Sequence, residues 1–220
     1  IDAIAQSWSV LSGFAEPERQ QQAMNSVVGR LIDDEVGIVR LFTPPFEKSR
    51  LDPGYIKSYP PGVRENGGQY THAAIWTGLA LSKLGRNDEA WKVFSMLNPV
   101  HHAETTDEAD RYRVEPYVVA ADVYGGPGYE GRGGWTWYTG SAGWLYRFAL
   151  EGFLGIHRQG EGISLKPALP SSLSSYEAEV SIGGKAVAIT ASRKADGSGY
   201  EVTANGAAVT EKDGAFAISL

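Results

Sequence analysis

The hydrophobic period of this chain changes once. Up to about Gly155 apolar residues recur every three to four positions, and beyond it they recur every two. That switch limits the fold to a mainly helical part followed by a small antiparallel β unit, with domains expected at 1–155 and 156–220. All six tryptophans lie in the helical part. Helices are predicted over 1–12, 17–31, 70–84, 87–97, 117–124 and 141–154, with Gly13, Gly85 and Gly155 as stops and Pro17 in a first turn. Between them lie three long loops, 43–68, 98–114 and 125–134, rich in Pro, Gly and aromatic residues. In the tail, Tyr176, Ala178, Val180 and Ile182 alternate with polar residues. Gly183-Gly184 marks a hairpin, Val187, Ile189 and Ala191 continue beyond it, and Asp196-Gly197, Asn205-Gly206 and Asp213-Gly214 mark further turns.

Composition narrows the function classes. A net charge of −6 argues against a nucleic-acid groove or an anionic membrane surface as partner. The absence of cysteine excludes a disulfide scaffold and a thiol nucleophile. No apolar run reaches the roughly 20 residues that span a bilayer, so no membrane contact is expected of this segment. The sequence begins at Ile1, inside a helical pattern and without Met, which reads as a piece of a longer polypeptide.

Three clusters carry chemical groups. Arg64-Glu65-Asn66-Gly67-Gly68-Gln69-Tyr70-Thr71-His72 packs a cation, a carboxylate, two amides, a phenol, a hydroxyl and an imidazole at a loop-to-helix junction, where backbone N–H groups favour anions. The same residues also suit a solvated helix start. Trp135-Thr136-Trp137-Tyr138-Thr139-Gly140-Ser141-Ala142-Gly143-Trp144 opens a second helix, where Thr139, Gly140 and Ser141 can cradle an oxyanion. Its aromatic residues suit either a core or a sugar-stacking platform. Glu115, ahead of Pro116 and Tyr117, can bond sugar hydroxyls or pair with Arg113. The His101-His102 pair has no partner at ligand spacing, and no metal is expected.

With these segments in view, the chain resembles the inverting β-glucoside phosphorylases, glycoside hydrolase family 94. The resemblance rests on Ile4-Ala5-Gln6-Ser7-Trp8, Gly54-Tyr55-Ile56-Lys57, the run from Gly62 to His72, Glu115-Pro116-Tyr117-Val118 and the run from Trp137 to Trp144. Arg40-Leu41-Phe42-Thr43-Pro44-Pro45-Phe46, Met96-Leu97-Asn98-Pro99 and Val118-Val119-Ala120-Ala121-Asp122-Val123-Tyr124 are closer still to the C-terminal phosphorylase region of cyclic β-1,2-glucan synthases. The resemblance implies the C-terminal portion of an (α/α)6 toroid, here about six helices, and then the small antiparallel sheet. It implies phosphate contacts from His72, Thr139, Gly140 and Ser141, and sugar contacts from Arg64, Glu65, Gln69, Glu115, Tyr117 and Trp137. The family's catalytic acid is an Asp upstream of the Ile-Ala-Gln-Ser-Trp segment, so it is expected before Ile1, and the isolated chain is expected to be inactive. Ala121 stands where disaccharide phosphorylases commonly carry Gln, which favours a longer acceptor.

The implied parent reaction is phosphorolysis of a linear β-1,2-glucan end to glucose 1-phosphate with inversion, which controls chain length. It needs inorganic phosphate as co-substrate and no cofactor. A hydrolase needs a second carboxylate to activate water, whereas phosphate is already an anionic nucleophile. The implied partners are a β-glucan oligosaccharide, phosphate and the N-terminal remainder of the parent chain, with a homodimer left open. The implied location is the cytoplasmic side of a bacterial inner membrane, through the parent protein. Two alternatives stand beside this: an inverting hydrolase with Glu65 or Glu115 as base, and a non-catalytic carbohydrate-binding module.

Overall fold

In the computed structural model, which describes residues 1–137 and 139–219, the chain forms two compact units, Ile1–Phe148 and Ala149–Leu220. The first contains helices α1 (Ala3–Leu11), α2 (Pro17–Arg30), α3 (Thr71–Lys83), α4 (Asn87–Leu97), α5 (Thr106–Tyr112) and α6 (Thr139–Arg147). It also contains the short strands β1 (Ile32–Asp33), β2 (Ile38–Val39), β3 (Gln69–Tyr70) and β4 (Asp122–Val123). Among the described residues no helix is long and apolar enough to cross a membrane.

The helix starts follow local chemistry. Asp2 caps α1, its Oδ1 accepting the Ala5 N–H at 3.0 Å. Pro17 opens α2 with its φ already set. In the middle of the unit lies α3, buried along most of its length from Thr71 to Leu81 and packed by α1, α4 and α6. A helix apolar on nearly every side belongs in a core. Gly78 makes room there for Phe148: a methyl on Gly78 would lie 2.2 Å from the ring, which is itself fully buried.

One expected helix is absent and another stands in its place. Residues 117–124, predicted helical, leave a turn at Tyr117 and lead into β4, which pairs antiparallel with β3 through Gln69↔Val123 and Tyr70↔Asp122. The helix forms earlier instead, as α5 within the predicted loop 98–114. Thr105 and Glu108 close a reciprocal capping box at its start, and Arg113 ends it in the left-handed region at φ 58°. The Tyr112 hydroxyl then donates to Val118 O and accepts from Ala120 N–H, both at 3.3 Å, which holds the following segment extended. The long loop 43–68 is pinned from inside by Asn66. Its Oδ1 accepts the Phe46 N–H at 2.7 Å and its Nδ2 donates to Tyr59 O at 2.7 Å.

Beyond α6 the winding loosens into a π-helical stretch, Phe148–Leu154, so the two units divide inside the predicted last helix. The second unit holds β5 (Ile156–Gln159), β6 (Gly162–Leu165), β7 (Ser175–Ile182), β8 (Lys185–Arg193), β9 (Tyr200–Ala204), β10 (Ala207–Val209), β11 (Glu211–Lys212) and β12 (Ala215–Ile218). They form two four-stranded sheets, β10-β9-β8-β7 and β11-β12-β6-β5. Both sheets contribute to one core of Ile163, Leu165, Ile189, Val202, Phe216 and their neighbours. The β7–β8 hairpin closes on Gly183-Gly184, both at positive φ, with Ile182 opposite Lys185. That is the two-residue turn whose twist matches the strands.

Candidate functional site

The loop 62–69 and the first turn of α3 carry the first cluster. A set of backbone bonds, including Gly68 N–H to Arg64 O at 3.1 Å and Gly67 N–H to Glu65 O at 2.9 Å, curls this loop tightly. Arg64 takes a left-handed backbone at φ 49°, an outlier for a bulky residue and one that collects at functional sites. Its guanidinium lies 4.5 Å from the Trp135 ring centre and 5.5 Å from that of Tyr59. Its Nε is 3.5 Å from Glu65 Oε2. Burial pulls the Arg64 guanidinium down, but the negative charges of Asp122 and Glu65 outweigh it, and the cation is held more firmly than usual.

His72 sits one residue into α3, half-buried and stacked on Tyr70 with ring centres 5.4 Å apart. Burial pushes its imidazole below the ordinary value, so the ring is neutral at pH 7 and offers one N–H and one lone pair. The second cluster comes directly against it. A methyl on Gly140 would stand 2.7 Å from His72 Nε2, so the starts of α3 and α6 come into close contact. Thr139 and Gly140 are exposed there. Behind them the rings of Trp8, Trp76 and Trp144 meet edge to face at 5.6 and 5.7 Å and fix the two helices side by side.

The third cluster also assembles. Trp137 Nε1 donates to Glu115 Oε1 at 2.8 Å, and its ring meets the edge of Tyr117 at 6.3 Å. Both rings are largely exposed, at 67% for Trp137 and 70% for Tyr117. The Trp137 N–H is the main reason the Glu115 carboxyl lies below its ordinary value. Trp137→Phe is therefore expected to raise the Glu115 pKa toward that value, as read by NMR titration; an unmoved titration would detach the two residues.

Two other residues of the implied site are buried. Gln69 is 1% exposed, and its Oε1 accepts the Val39 N–H at 2.9 Å, tying β2 to the loop that leads into α3. Ser141 is fully buried one residue inside the exposed Thr139–Gly140 pair. Tyr138, part of the same motif, lies outside the described residues. His102 stacks on Tyr112 at 4.6 Å and bonds Met96 O through Nε2 at 2.7 Å, which makes it a packing residue of the helical unit.

One feature of the site escaped the sequence reading. Among the described residues, buried side-chain atoms without a hydrogen-bond partner gather here: Arg64 Nε and Glu65 Oε2, which meet only as the 3.5 Å ion pair, together with Thr71 Oγ1, His72 Nδ1, Trp76 Nε1 and Asp122 Oδ2. Five of them fall between residues 64 and 76, and Asp122 is on the strand paired to that segment. Buried polar groups are nearly always bonded, so a local group of exceptions leaves donors and acceptors open to water or a ligand. The signal for Asp122 was a lone carboxylate in the apolar run 118–124.

Residues 1–155 match the catalytic domain of the glycosyl hydrolase 94 superfamily. The chain belongs to that superfamily. Among its relatives, it is 59% identical over 193 residues to the cyclic beta-(1,2)-glucan synthase NdvB of Rhizobium meliloti, covering 88% of this chain and 7% of that protein. It is 34% identical over 170 residues to the N,N'-diacetylchitobiose phosphorylase of Vibrio proteolyticus, and 32% over 168 residues to the solabiose phosphorylase of Paenibacillus borealis. Those alignments cover 77% and 76% of this chain and 21% of each relative. The chain thus spans only a small part of the length of the relatives it matches, and within that part lie all three residue clusters of this glycosyl hydrolase 94 domain.

Proposed function

We propose that this chain supplies the phosphate side and part of the sugar side of an inverting glycoside phosphorylase that acts on linear β-1,2-glucan. In this reading the phosphate rests between His72, Thr139 and Gly140, and one phosphate oxygen attacks the anomeric carbon from the face opposite the glycosidic bond. That bond breaks, its oxygen takes a proton from a carboxylic acid carried by the segment preceding Ile1 in the parent chain, and glucose 1-phosphate leaves inverted. Arg64 and Glu65 hold the sugar beside the scissile bond, and Glu115, Tyr117 and Trp137 take the acceptor side. The six helices are then part of an (α/α)6 toroid. The parent is a cyclic β-1,2-glucan synthase-like protein of a bacterial inner membrane, with this domain on the cytoplasmic side and chain length set by trimming. Identity to NdvB supports the linkage.

The observation that carries the reading is the approach of Gly140 to His72 Nε2. It brings the starts of α3 and α6 together, and this supports a site in which helix-start N–H groups and the imidazole would serve one anion. The test is calorimetry on the 220-residue chain with inorganic phosphate. Phosphate is expected to bind, and His72→Ala is expected to weaken it about tenfold, the worth of one charge-assisted hydrogen bond. Absence of phosphate binding by the unsubstituted chain overturns the reading. The exposed Tyr117 and Trp137 rings favour a second reading, a carbohydrate-binding module, which predicts glucan binding indifferent to phosphate and to His72→Ala.

A further inference from the structure

Asp122 is the single acidic residue of the apolar run 118–124, and strand β4 carries it to a position opposite Tyr70. Its side chain is 3% exposed. Oδ1 accepts the Trp135 N–H at 3.0 Å, and Oδ2 has no partner. The neighbouring backbone closes over it. Gly134 N–H donates to Asp122 O at 2.8 Å, Ala121 N–H donates to Trp135 O at 2.7 Å, and a methyl on Gly134 would lie 2.3 Å from Oδ2. Trp135 is therefore held on both sides of its peptide, and its ring carries the Arg64 guanidinium at 4.5 Å. Asp122 and Arg64 act on each other as opposite charges.

This arrangement is an expensive way to hold a loop. A buried carboxylate with one hydrogen bond costs stability. Burial raises the Asp122 carboxyl above its ordinary value, with the Trp135 N–H and Arg64 opposing and Glu65 reinforcing. A raised carboxyl favours the fold when protonated, and that contribution is lost as pH rises through the raised value. An asparagine could keep the bond to Trp135 without a buried charge.

We infer that Asp122 is a positioning residue for the sugar side of the site: its carboxylate holds the Trp135 peptide and faces the Arg64 charge, and so fixes the guanidinium against the indole in the pose that meets a glucosyl unit. Arg64 owes its own place to a left-handed backbone, and without Asp122 its side chain has the aromatic faces and the adjacent Glu65 to orient it but no charge from the β4 side. This rests on the proposed reading of Arg64 as a sugar contact.

The experiment compares the unsubstituted 220-residue chain with Asp122→Asn and Asp122→Ala, using calorimetry with sophorose and, separately, with inorganic phosphate, and thermal melts followed by circular dichroism. For Asp122→Asn, sophorose affinity is expected to fall about tenfold, the worth of one charge-assisted contact. Phosphate affinity should be unchanged and the melting temperature no lower. Asp122→Ala should show the same sugar loss together with a lower melting temperature, because the Trp135 N–H loses its acceptor. An Asp122→Asn chain that binds sophorose as well as the parent overturns the proposal. So does one that loses phosphate and sugar affinity together or fails to fold, since the carboxylate would then support the fold at large. If the unsubstituted chain binds phosphate but no sophorose, the sugar-side reading of Arg64 fails and the inference falls with it. If it binds sophorose but no phosphate, the phosphorylase reading fails while the Asp122 comparison still decides.

Discussion

Gly140→Ala is expected to weaken phosphate binding by about a hundredfold, the equivalent of losing two charge-assisted donors, and to leave the melting temperature unchanged or slightly raised. The new methyl would sit 2.7 Å from His72 Nε2 and 3.1 Å from its Cε1. Two relaxations are open to it. The imidazole can swing away, which loses its hydrogen bond to the anion, or the start of α6 can shift, which misaims the Thr139 hydroxyl and the first N–H groups. In either case the methyl also fills space into which a tetrahedral anion must settle. The fold has no comparable objection. Gly140 is exposed and its backbone is not left-handed, and alanine is the better helix former by up to about 1 kcal/mol. The combination separates a site from a support: affinity falls while stability holds. Calorimetry with inorganic phosphate and a circular dichroism melt read the two quantities, and an unchanged affinity would mean that no anion rests between the two helix starts.

Much of the fold was legible because local rules decided it. Pro17 and Gly85 place helix ends through backbone angle, and Gly183-Gly184, Asn205-Gly206 and Asp213-Gly214 each close a two-residue hairpin at positive φ. The exchange of a helix at 117–124 for α5 shows where such rules stop. The run from Tyr117 to Tyr124 is apolar enough for a helix face, yet its backbone groups find better partners in Gln69, Tyr70 and the Tyr112 hydroxyl, which are distant in sequence or set by the preceding turn. The capping box at Thr105 and Glu108 was readable in principle, but the helix it starts has no apolar stripe to advertise it.

The site was legible in parts and not as a whole. His72 and Thr139–Gly140 each read as anion-friendly helix starts, but spacing along a chain cannot say that two starts face each other; the packing of α3 on α6 does. Gln69 came in with the resemblance as a sugar contact, and its position shows what spacing could not, that its Oε1 holds the Val39 N–H of β2. Asp122 was hidden by its neighbours. A carboxylate inside an apolar run is readable as an anomaly, but its meaning depends on Trp135 and Arg64 arriving from other loops.

Gly155→Ala is expected to cost the C-terminal unit about 2–5 kcal/mol, from a left-handed backbone penalty of about 1–2 and an overpacking term of about 1–3. Gly155 holds φ 69°, where only glycine is at ease. Its added methyl would stand 1.8 Å from Lys166 O and 2.1 Å from Lys166 C, both backbone atoms. They cannot yield cheaply. Lys166 N–H donates to Gly155 O at 2.8 Å, Ala168 N–H donates to Phe153 O at 2.9 Å, and Ile156 stands opposite Leu165 in the core of the unit. Relieving the clash means breaking the root of the β5–β6 pair. Gly183→Ala is the control, because Gly183 has φ 60° with nothing within 4 Å of the added methyl, and so isolates the backbone penalty at about 1–2 kcal/mol. Urea unfolding of both variants, followed by circular dichroism, reads the difference. If Gly155→Ala costs no more than Gly183→Ala, the β5–β6 root is soft enough to move aside and packing at that junction contributes little to the unit.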